Sequence, residues 1–177
     1  DGGLYIWDLK TVKLLVRQNL PANHVRTLHF LDQSRLLASV EDSLLLLSVD
    51  DGAVLRERTL PAIVRGYVAT PDRKEVLVCT VDGSLHRFRL PDLEVERSQK
   101  LLASANEAKL AISPDGSLLA ATTPDTYRVQ LFDARTLEPL AQLPDAGGAS
   151  IKFLAFGVGG RYLAFGDTKI ELWDLGL

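Results

Sequence analysis

The chain has 177 residues, of which 46% are hydrophobic and 24% are charged, a balance typical of a globular domain rather than of a disordered chain. Its net charge of -3 at neutral pH gives no overall electrostatic attraction to nucleic acid or to an anionic membrane surface. The single cysteine, Cys79, excludes an intrachain disulfide framework, and no run of about 18 apolar residues predicts a membrane-spanning helix.

The chain predicts short β-strands separated by turn residues, with no segment of helical period. The first predicted strand covers residues 4–9, and the strands that follow fall into four groups of four. In chain order these groups cover residues 13–20, 25–30, 36–40 and 44–49; 54–60, 64–69, 75–80 and 84–90; 94–101, 108–112, 118–122 and 128–134; and 137–143, 151–156, 161–165 and 169–175. Glycine, proline and aspartate separate the strands, as in Ser113-Pro114-Asp115-Gly116.

The last strand of each group repeats one apolar signature. From Trp7 to Trp173 there are 166 residues in four steps, or about 41 residues a step. That period is typical of repeats that form one four-stranded propeller blade each. The five signature segments are Leu4-Tyr5-Ile6-Trp7-Asp8-Leu9, Leu44-Leu45-Leu46-Leu47-Ser48-Val49, Leu85-His86-Arg87-Phe88-Arg89-Leu90, Val129-Gln130-Leu131-Phe132-Asp133-Ala134 and Ile170-Glu171-Leu172-Trp173-Asp174-Leu175.

These segments, together with Ile112-Ser113-Pro114-Asp115-Gly116-Ser117-Leu118-Leu119-Ala120, resemble the WD-repeat β-propeller family over essentially the whole chain. The resemblance implies an all-β fold of blades with four antiparallel strands, in a single domain over residues 1–177. The repeats would cover residues 12–49, 50–90, 91–134 and 135–175, after the strand at residues 4–9. The signature residues would have structural roles, with both tryptophans packed between blades: Trp7, Asp8, Phe88, Phe132, Asp133, Trp173 and Asp174.

The chain departs from the family pattern in its polar residues. Family blades carry a Gly-His pair whose histidine joins a buried hydrogen-bonded network, and only Asn23-His24 resembles that pair here. Ser48 and Arg89 replace the signature aspartate, and apolar or phenylalanine residues replace three of the tryptophans. We therefore expect most blades to lack the polar network and to depend on apolar packing.

The repeats do not add up to a closed set of blades. In a structural blade the outer strand joins the strand that precedes it, so the chain predicts two strands of one blade, three whole blades and three strands of a last one. This pattern predicts an incomplete propeller from a longer chain, whose open faces need the remaining blades or a second copy to cover them. The alternative is a closed four-bladed ring in which residues 13–20 pair with residues 169–175.

No motif in the sequence predicts catalysis, a metal site or a cofactor. The three histidines, His24, His29 and His86, lie on or beside different strands without metal-ligand spacing. Cys79 lies in an apolar strand, which favours core packing over a reactive thiol. A free thiol is also compatible with a reducing compartment, so we expect a cytoplasmic protein.

Basic residues recur at one position of the innermost strands. Arg26, Arg65 and Lys152 each stand four residues before the last residue of the strand, and the third repeat has Ala108 there with Lys109 beside it. In WD-repeat propellers the matching residue lines the channel rim and contacts partners, so the resemblance implies a cationic arc suited to an acidic or phosphorylated segment. The alternative is that these cations are solvated, or pair with Asp42, Asp82, Asp125 and Asp167 at the turns.

The sequence therefore predicts a non-catalytic scaffold for protein or peptide partners, with no nucleic-acid or membrane binding. The alternative is a propeller enzyme or small-ligand propeller with its site in the central channel. Such a site needs histidine, aspartate or glutamate side chains converging from the innermost strands. Those strands carry mostly apolar residues, among them Val25, Val64, Leu110 and Ile151.

Overall fold

A computed structural model describes residues 3–20, 25–102, 105, 108–123, 128–144, 151–166 and 169–176, and these residues form strands and turns. The strands are β1 (Gly3–Asp8), β2 (Lys13–Asn19), β3 (Val25–Phe30), β4 (Arg35–Val40), β5 (Ser43–Ser48), β6 (Val54–Thr59), β7 (Val64–Ala69), β8 (Glu75–Thr80), β9 (Ser84–Arg89), β10 (Glu94–Lys100), β11 (Leu110–Ile112), β12 (Leu118–Thr123), β13 (Arg128–Asp133), β14 (Pro139–Gln142), β15 (Phe153–Phe156), β16 (Tyr162–Gly166) and β17 (Ile170–Asp174). Every predicted strand is confirmed, with ends that shift by one or two residues. No helix among the described residues has the length and apolarity that a bilayer span requires.

The described strands form five antiparallel sheets. β1 pairs with β2, three four-stranded sheets follow as β3–β6, β7–β10 and β11–β14, and β15–β17 form a three-stranded sheet. This confirms the predicted grouping into two strands, three complete sets of four and a final three. The described residues do not show the alternative pairing of residues 13–20 with residues 169–175. Lys13–Asn19 pairs with Gly3–Asp8, and Ile170–Asp174 pairs with Tyr162–Gly166, in two separate sheets.

The core consists of apolar layers between successive sheets. Strand β4 shows how they form: Leu36 and Ala38 pack toward the β1–β2 sheet, whereas Leu37 packs toward the β7–β10 sheet. Successive side chains on a strand point to opposite faces, so a continuous apolar strand can supply two layers. Strands β8 and β12 also contribute side chains to two layers each. In β8, for example, Val76 and Leu77 lie in different layers.

The sheets lie side by side along their first strands. β3 contacts β7, β7 contacts β11, and β11 contacts β15. The last strand of a complete sheet is more exposed, and all six residues of β6, including Arg56 and Arg58, are exposed. Charged side chains on such an edge discourage pairing with other chains. Among the described residues, no strand pairing and no apolar layer joins the first sheet to the last.

The turn between the third and fourth strands of a sheet repeats one backbone geometry. The residue five positions after the signature aromatic position has positive φ in the first four sheets: Val12 at 53°, Gly52 at 74°, Leu93 at 55° and Leu137 at 59°. Leucine and valine are uncommon in this conformation, and burial of the side chain can offset its cost. Leu93 and Leu137 are 1% and 0% exposed, which supplies that burial in the second and third complete sheets.

The signature aspartates close the same turns. Asp133 Oδ1 accepts the backbone N–H groups of Arg135 at 2.9 Å and Thr136 at 2.7 Å. Asp8 Oδ1 accepts those of Lys10 and Thr11, and Asp174 Oδ1 accepts that of Gly176. Each of the three signature aspartates thus accepts at least one backbone N–H group of the turn that follows its strand.

The structure differs from prediction at Trp7. Trp173 packs in the layer between the last two sheets, and Phe88 and Phe132 occupy the matching place in earlier layers. Trp7, by contrast, is 52% exposed and joins none of these layers. The side chain at this position always faces the preceding sheet, and no described sheet precedes β1–β2.

Candidate partner-binding rim

Arg26, Arg65, Lys109 and Lys152, here called the cationic rim, lie where the first strands of the four later sheets begin. Arg26 and Arg65 occupy β-bulges, since the register of β3 on β4 shifts between Val25 and Thr27, and that of β7 on β8 shifts between Val64 and Gly66. A bulged residue opposes no partner on the neighbouring strand. The two arginines therefore share a local geometry that the sequence alone does not reveal.

Lys109 and Lys152 directly precede the strands β11 and β15. The N–H of Lys109 donates to Thr122 Oγ1 at 2.8 Å, and the N–H of Lys152 donates to the carbonyl oxygen of Gly166 at 2.8 Å. Ala108, which matches Arg26 and Arg65 in the repeat, is buried at 3% exposure. Lys109 is thus the cation that the third of these sheets supplies.

The order of the first strands brings these positions into one row. β3, β7, β11 and β15 are successive neighbours, and a Cβ added at Gly66 would lie 3.6 Å from the carbonyl oxygen of Ala108. Arg26 and Lys152 are exposed, whereas Arg65 and Lys109 are half-buried. The row presents four cations at one end of the sheets.

Carboxylates lie at the same end, in the turns between second and third strands. Asp82 accepts hydrogen bonds from the Thr80 hydroxyl at 2.7 Å and from the Ser84 hydroxyl at 2.8 Å. Partial burial raises the pKa of Asp82, but these hydrogen bonds outweigh it and leave the pKa below its usual value. Asp82 is therefore ionised, and its carboxylate oxygens accept hydrogen bonds within its own turn.

For Arg26, the alternative in which rim cations pair with turn aspartates is not what the described residues show. Within the described residues, no ion pair joins Arg26 to Asp42 or Asp82. Asp125 and Asp167, like His24, lie outside the described residues.

A buried polar cluster next to the rim was not predicted. His86 is 5% exposed on β9, its Nε2 lies 3.1 Å from Thr80 Oγ1, and its Nδ1 lies 2.8 Å from Ser98 Oγ. The matching positions of the other signatures carry Tyr5, Leu45, Gln130 and Glu171, so the repeat pattern gives no signal for a buried histidine. In this sheet a polar cluster joins the three strands β8, β9 and β10.

The other side chains that could act in catalysis or bind a metal are buried or lie far apart. Cys79 is 0% exposed, and burial raises the pKa of its thiol to about 12, so the thiolate is scarce near neutral pH. His29 packs edge-on against the Tyr67 ring at a centroid distance of 5.1 Å. The part of the chain that the structure describes has no group of three or more metal-ligating side chains.

A groove of about 360 Å³ opens between the last two sheets, away from the rim. Leu131, Leu143 and Trp173 are among its lining residues, and Asp174 is its only charged one. The groove is apolar and offers no convergent polar groups that would orient a small ligand.

Comparison of the chain with protein-family models and with curated proteins gave no match.

Proposed function

We propose that this chain is a sector of a WD-repeat-like β-propeller and serves as a non-catalytic scaffold, with its cationic rim binding an acidic or phosphorylated segment of a protein partner. Its place would be the cytoplasm, where the free thiol of Cys79 stays reduced.

The propeller assignment is supported by the sheet arrangement. Complete sheets of four antiparallel strands follow one another along the chain, and neighbouring sheets contact through their first strands and through apolar layers. Propeller blades pack in this way around an axis. The sequence period of about 41 residues supports the same assignment.

The observation that carries the binding proposal is the recurrence of cations at the start of the first strands. Arg26 and Arg65 stand on bulges at matching positions, and Lys152 matches them in the last sheet. A guanidinium group binds carboxylate or phosphate oxygens with two parallel hydrogen bonds. Two arginines and two lysines in a row therefore suit an extended segment with several negative charges.

The non-catalytic part of the proposal is supported by the side chains of the first strands. β7, β11 and β15 carry no histidine, aspartate or glutamate, and β3 carries only His29, which packs on Tyr67. A channel-centred active site would need such groups to converge.

The test measures binding of fluorescently labelled peptides by anisotropy. One peptide alternates glutamate with glycine, a second has phosphoserine in place of glutamate, and a third has glutamine. The triple variant Arg26→Glu, Arg65→Glu, Lys152→Glu should bind the two anionic peptides at least about tenfold more weakly than the unmodified chain, because three attractive contacts become repulsive. Since Arg65 is half-buried, the double variant Arg26→Glu, Lys152→Glu is measured beside it, with circular dichroism as the check on the fold.

A matched control reverses three exposed cations at the opposite end of the sheets, Lys10, Lys74 and Arg135, which changes the net charge equally. The control should bind the peptides as the unmodified chain does. Equal losses of peptide affinity in both triple variants would show that the effect comes from net charge and not from the rim. An unchanged affinity in the rim variants would refute the proposal.

A further inference from the structure

One end of the buried polar cluster in the β7–β10 sheet is open to solvent. His86 on β9 stands directly opposite Ser98 on β10, and the Ser98 hydroxyl oxygen lies 2.8 Å from His86 Nδ1. His86 is 5% exposed, whereas Ser98 is exposed and lies on the strand that ends its sheet. A small molecule therefore has access to the Ser98 hydroxyl from the open edge of β10.

The hydrogen bonds behind His86 decide which ring nitrogen accepts a proton. Thr80 Oγ1 lies 2.7 Å from Asp82 Oδ1 and 3.1 Å from His86 Nε2. The Thr80 hydroxyl has a single proton and donates it to the carboxylate, so it accepts a hydrogen bond from the Nε2–H of the imidazole. The other nitrogen, Nδ1, then has a lone pair that accepts the hydroxyl proton of Ser98. The contacts run from an ionised carboxylate through a hydroxyl and an imidazole to an exposed serine.

The histidine–serine pair is a local feature of the β7–β10 sheet. The cross-strand pairs at the matching positions of the other described sheets are Tyr5 with Arg17, Leu45 with Glu57, and Gln130 with Gln142. None of these pairs combines an imidazole with a hydroxyl group. The packing of a sheet in this series therefore does not require the pair, and a chemical role accounts for it.

We propose that Ser98 is a nucleophilic serine that accepts an acyl group from an activated ester or thioester, with His86 as its general base and Thr80 as the positioning residue. Ser98 Oγ attacks the carbonyl carbon of the donor and passes its proton to His86 Nδ1. The bond between the carbonyl carbon and the leaving group then breaks, the leaving group takes that proton, and the acyl group stays on Oγ as an ester. A hydroxyl nucleophile needs a base within hydrogen-bond reach for such a transfer.

The donor class follows from the groups present at Ser98. Burial lowers the pKa of His86, although Asp82 opposes it, so the imidazole is neutral and accepts a proton near neutral pH. One neutral base moves one proton, which is what addition of a hydroxyl group to a carbonyl carbon requires. A donor with a good leaving group needs less transition-state stabilisation than an amide. The acyl group is accepted once per chain, so the step is a covalent modification and does not depend on the cationic rim.

The test treats the whole chain with 4-nitrophenyl acetate and follows serine acetylation by peptide mass spectrometry. Neutral hydroxylamine removes acetyl groups from oxygen but not from nitrogen, which separates serine from lysine acetylation. Ser117 is the control within the chain, because it is also exposed and its hydroxyl donates to Asp115 Oδ2 at 2.8 Å. Hydrogen bonds, above all that from the Ser113 hydroxyl, hold the pKa of Asp115 below its usual value, so this carboxylate is a weak base. Ser98 should be acetylated at least about tenfold faster than Ser117, the lower end of what a general base contributes.

Variants test the role of each group, with circular dichroism as the check on the fold. His86→Gln keeps a hydrogen-bond acceptor but no base, so acetylation of Ser98 should slow at least about tenfold. Thr80→Val keeps the shape of the buried side chain but removes the acceptor for Nε2–H, and the rate should fall several-fold. Thr80→Ser restores the hydroxyl and should restore the rate.

Two outcomes would overturn the proposal. Acetylation of Ser98 and Ser117 at equal rates in the unmodified chain would show that the Ser98 hydroxyl is not activated. An unchanged rate at Ser98 in folded His86→Gln would exclude the imidazole as the base. If Thr80→Val and Thr80→Ser slowed the reaction equally, the positioning role of Thr80 would be wrong.

Discussion

The Thr80, His86 and Ser98 cluster has a definite proton arrangement. The Thr80 hydroxyl has one proton and lies 2.7 Å from Asp82 Oδ1, so it donates there and accepts from His86 Nε2–H. His86 Nδ1 then accepts from the Ser98 hydroxyl at 2.8 Å. Both ring nitrogens are satisfied with a neutral imidazole, and burial lowers the pKa of His86 even though Asp82 opposes it.

This arrangement predicts a loss of stability on mild acidification. A histidine whose pKa is lower in the folded state is protonated first in the unfolded state, so the free energy of unfolding falls as the pH drops below about 6.5. Urea unfolding should therefore show a lower free energy of unfolding at pH 5.5 than at pH 7.5, with His86 contributing to the difference. The carboxylate effects come at lower pH, since Asp82 and Asp115 have pKa values below their usual range.

His86→Gln is the comparison, since it keeps polar atoms but does not titrate. Its unfolding free energy should fall less over the same pH interval. Some fall should remain, because burial and the charge of Arg73 also lower the pKa of His29. Equal falls in the variant and the unmodified chain would exclude His86 as the source.

Arg87 is a second residue whose role the repeat pattern does not predict. The matching positions of the other signatures carry Ile6, Leu46, Leu131 and Leu172. Arg87 instead pairs with Glu75 at 2.5 Å and donates to the carbonyl oxygen of Arg135 at 2.6 Å, in the turn of the next sheet. The layer between these two sheets thus has a polar edge, because the partners of Arg87 come from both sheets.

At the scale of the element, the turn after the third strand combines a local and a nonlocal requirement. The aspartate that accepts turn N–H groups is readable from the sequence, as at Asp8 and Asp133. The residue with positive φ is not, because leucine and valine have no intrinsic preference for that conformation. The side chains of Leu93 and Leu137 are held there by the preceding sheet, which makes these two turns part of the apolar layers. Val12 has no such cover and is 75% exposed.

This difference predicts opposite effects of one substitution at two matching turns. Asparagine adopts positive φ more readily than valine or leucine. Val12→Asn should stabilise the monomer by about 1 kcal/mol, because it relieves strain and loses little burial. Leu137→Asn should destabilise it by about 2 kcal/mol or more, because the buried leucine contributes more than the relieved strain. Chemical denaturation at low protein concentration measures both.

If Leu137→Asn were neutral or stabilising, the packing account of these turns would be wrong. At the matching Gly52 the preceding sheet leaves little room for a side chain, since a Cβ there would lie 2.7 Å from Val16 Cγ1.

At the scale of the whole molecule, each apolar layer joins only successive sheets. Stability in such a series is a sum of sheet and nearest-neighbour terms, so the sheets with one covered face should open first. Amide hydrogen exchange of the monomer should therefore be fastest in β1–β2 and slowest in strands covered on both faces, such as β5, β8 and β12. Uniform protection across all sheets would show that the series unfolds as one unit.

The order and grouping of the strands could be predicted from the sequence because the signals are local. Turn residues separate the strands, and the apolar signature recurs at a constant period, so every strand and the two, four, four, four and three grouping follow from the chain itself. For the candidate rim, the sequence also placed Arg26, Arg65 and Lys152 at the start of first strands. It did not reveal the bulges at Arg26 and Arg65, because a bulge depends on register with the neighbouring strand.

Only the tertiary structure decided which faces are covered. Trp7 and Trp173 stand in nearly the same local sequence, yet Trp173 packs between two sheets and Trp7 is 52% exposed. His86 is buried in a polar cluster although the matching residue in the first sheet, Tyr5, is 49% exposed. The physical reason is that local sequence sets the direction of a side chain on its strand, whereas burial requires a second sheet that distant residues supply.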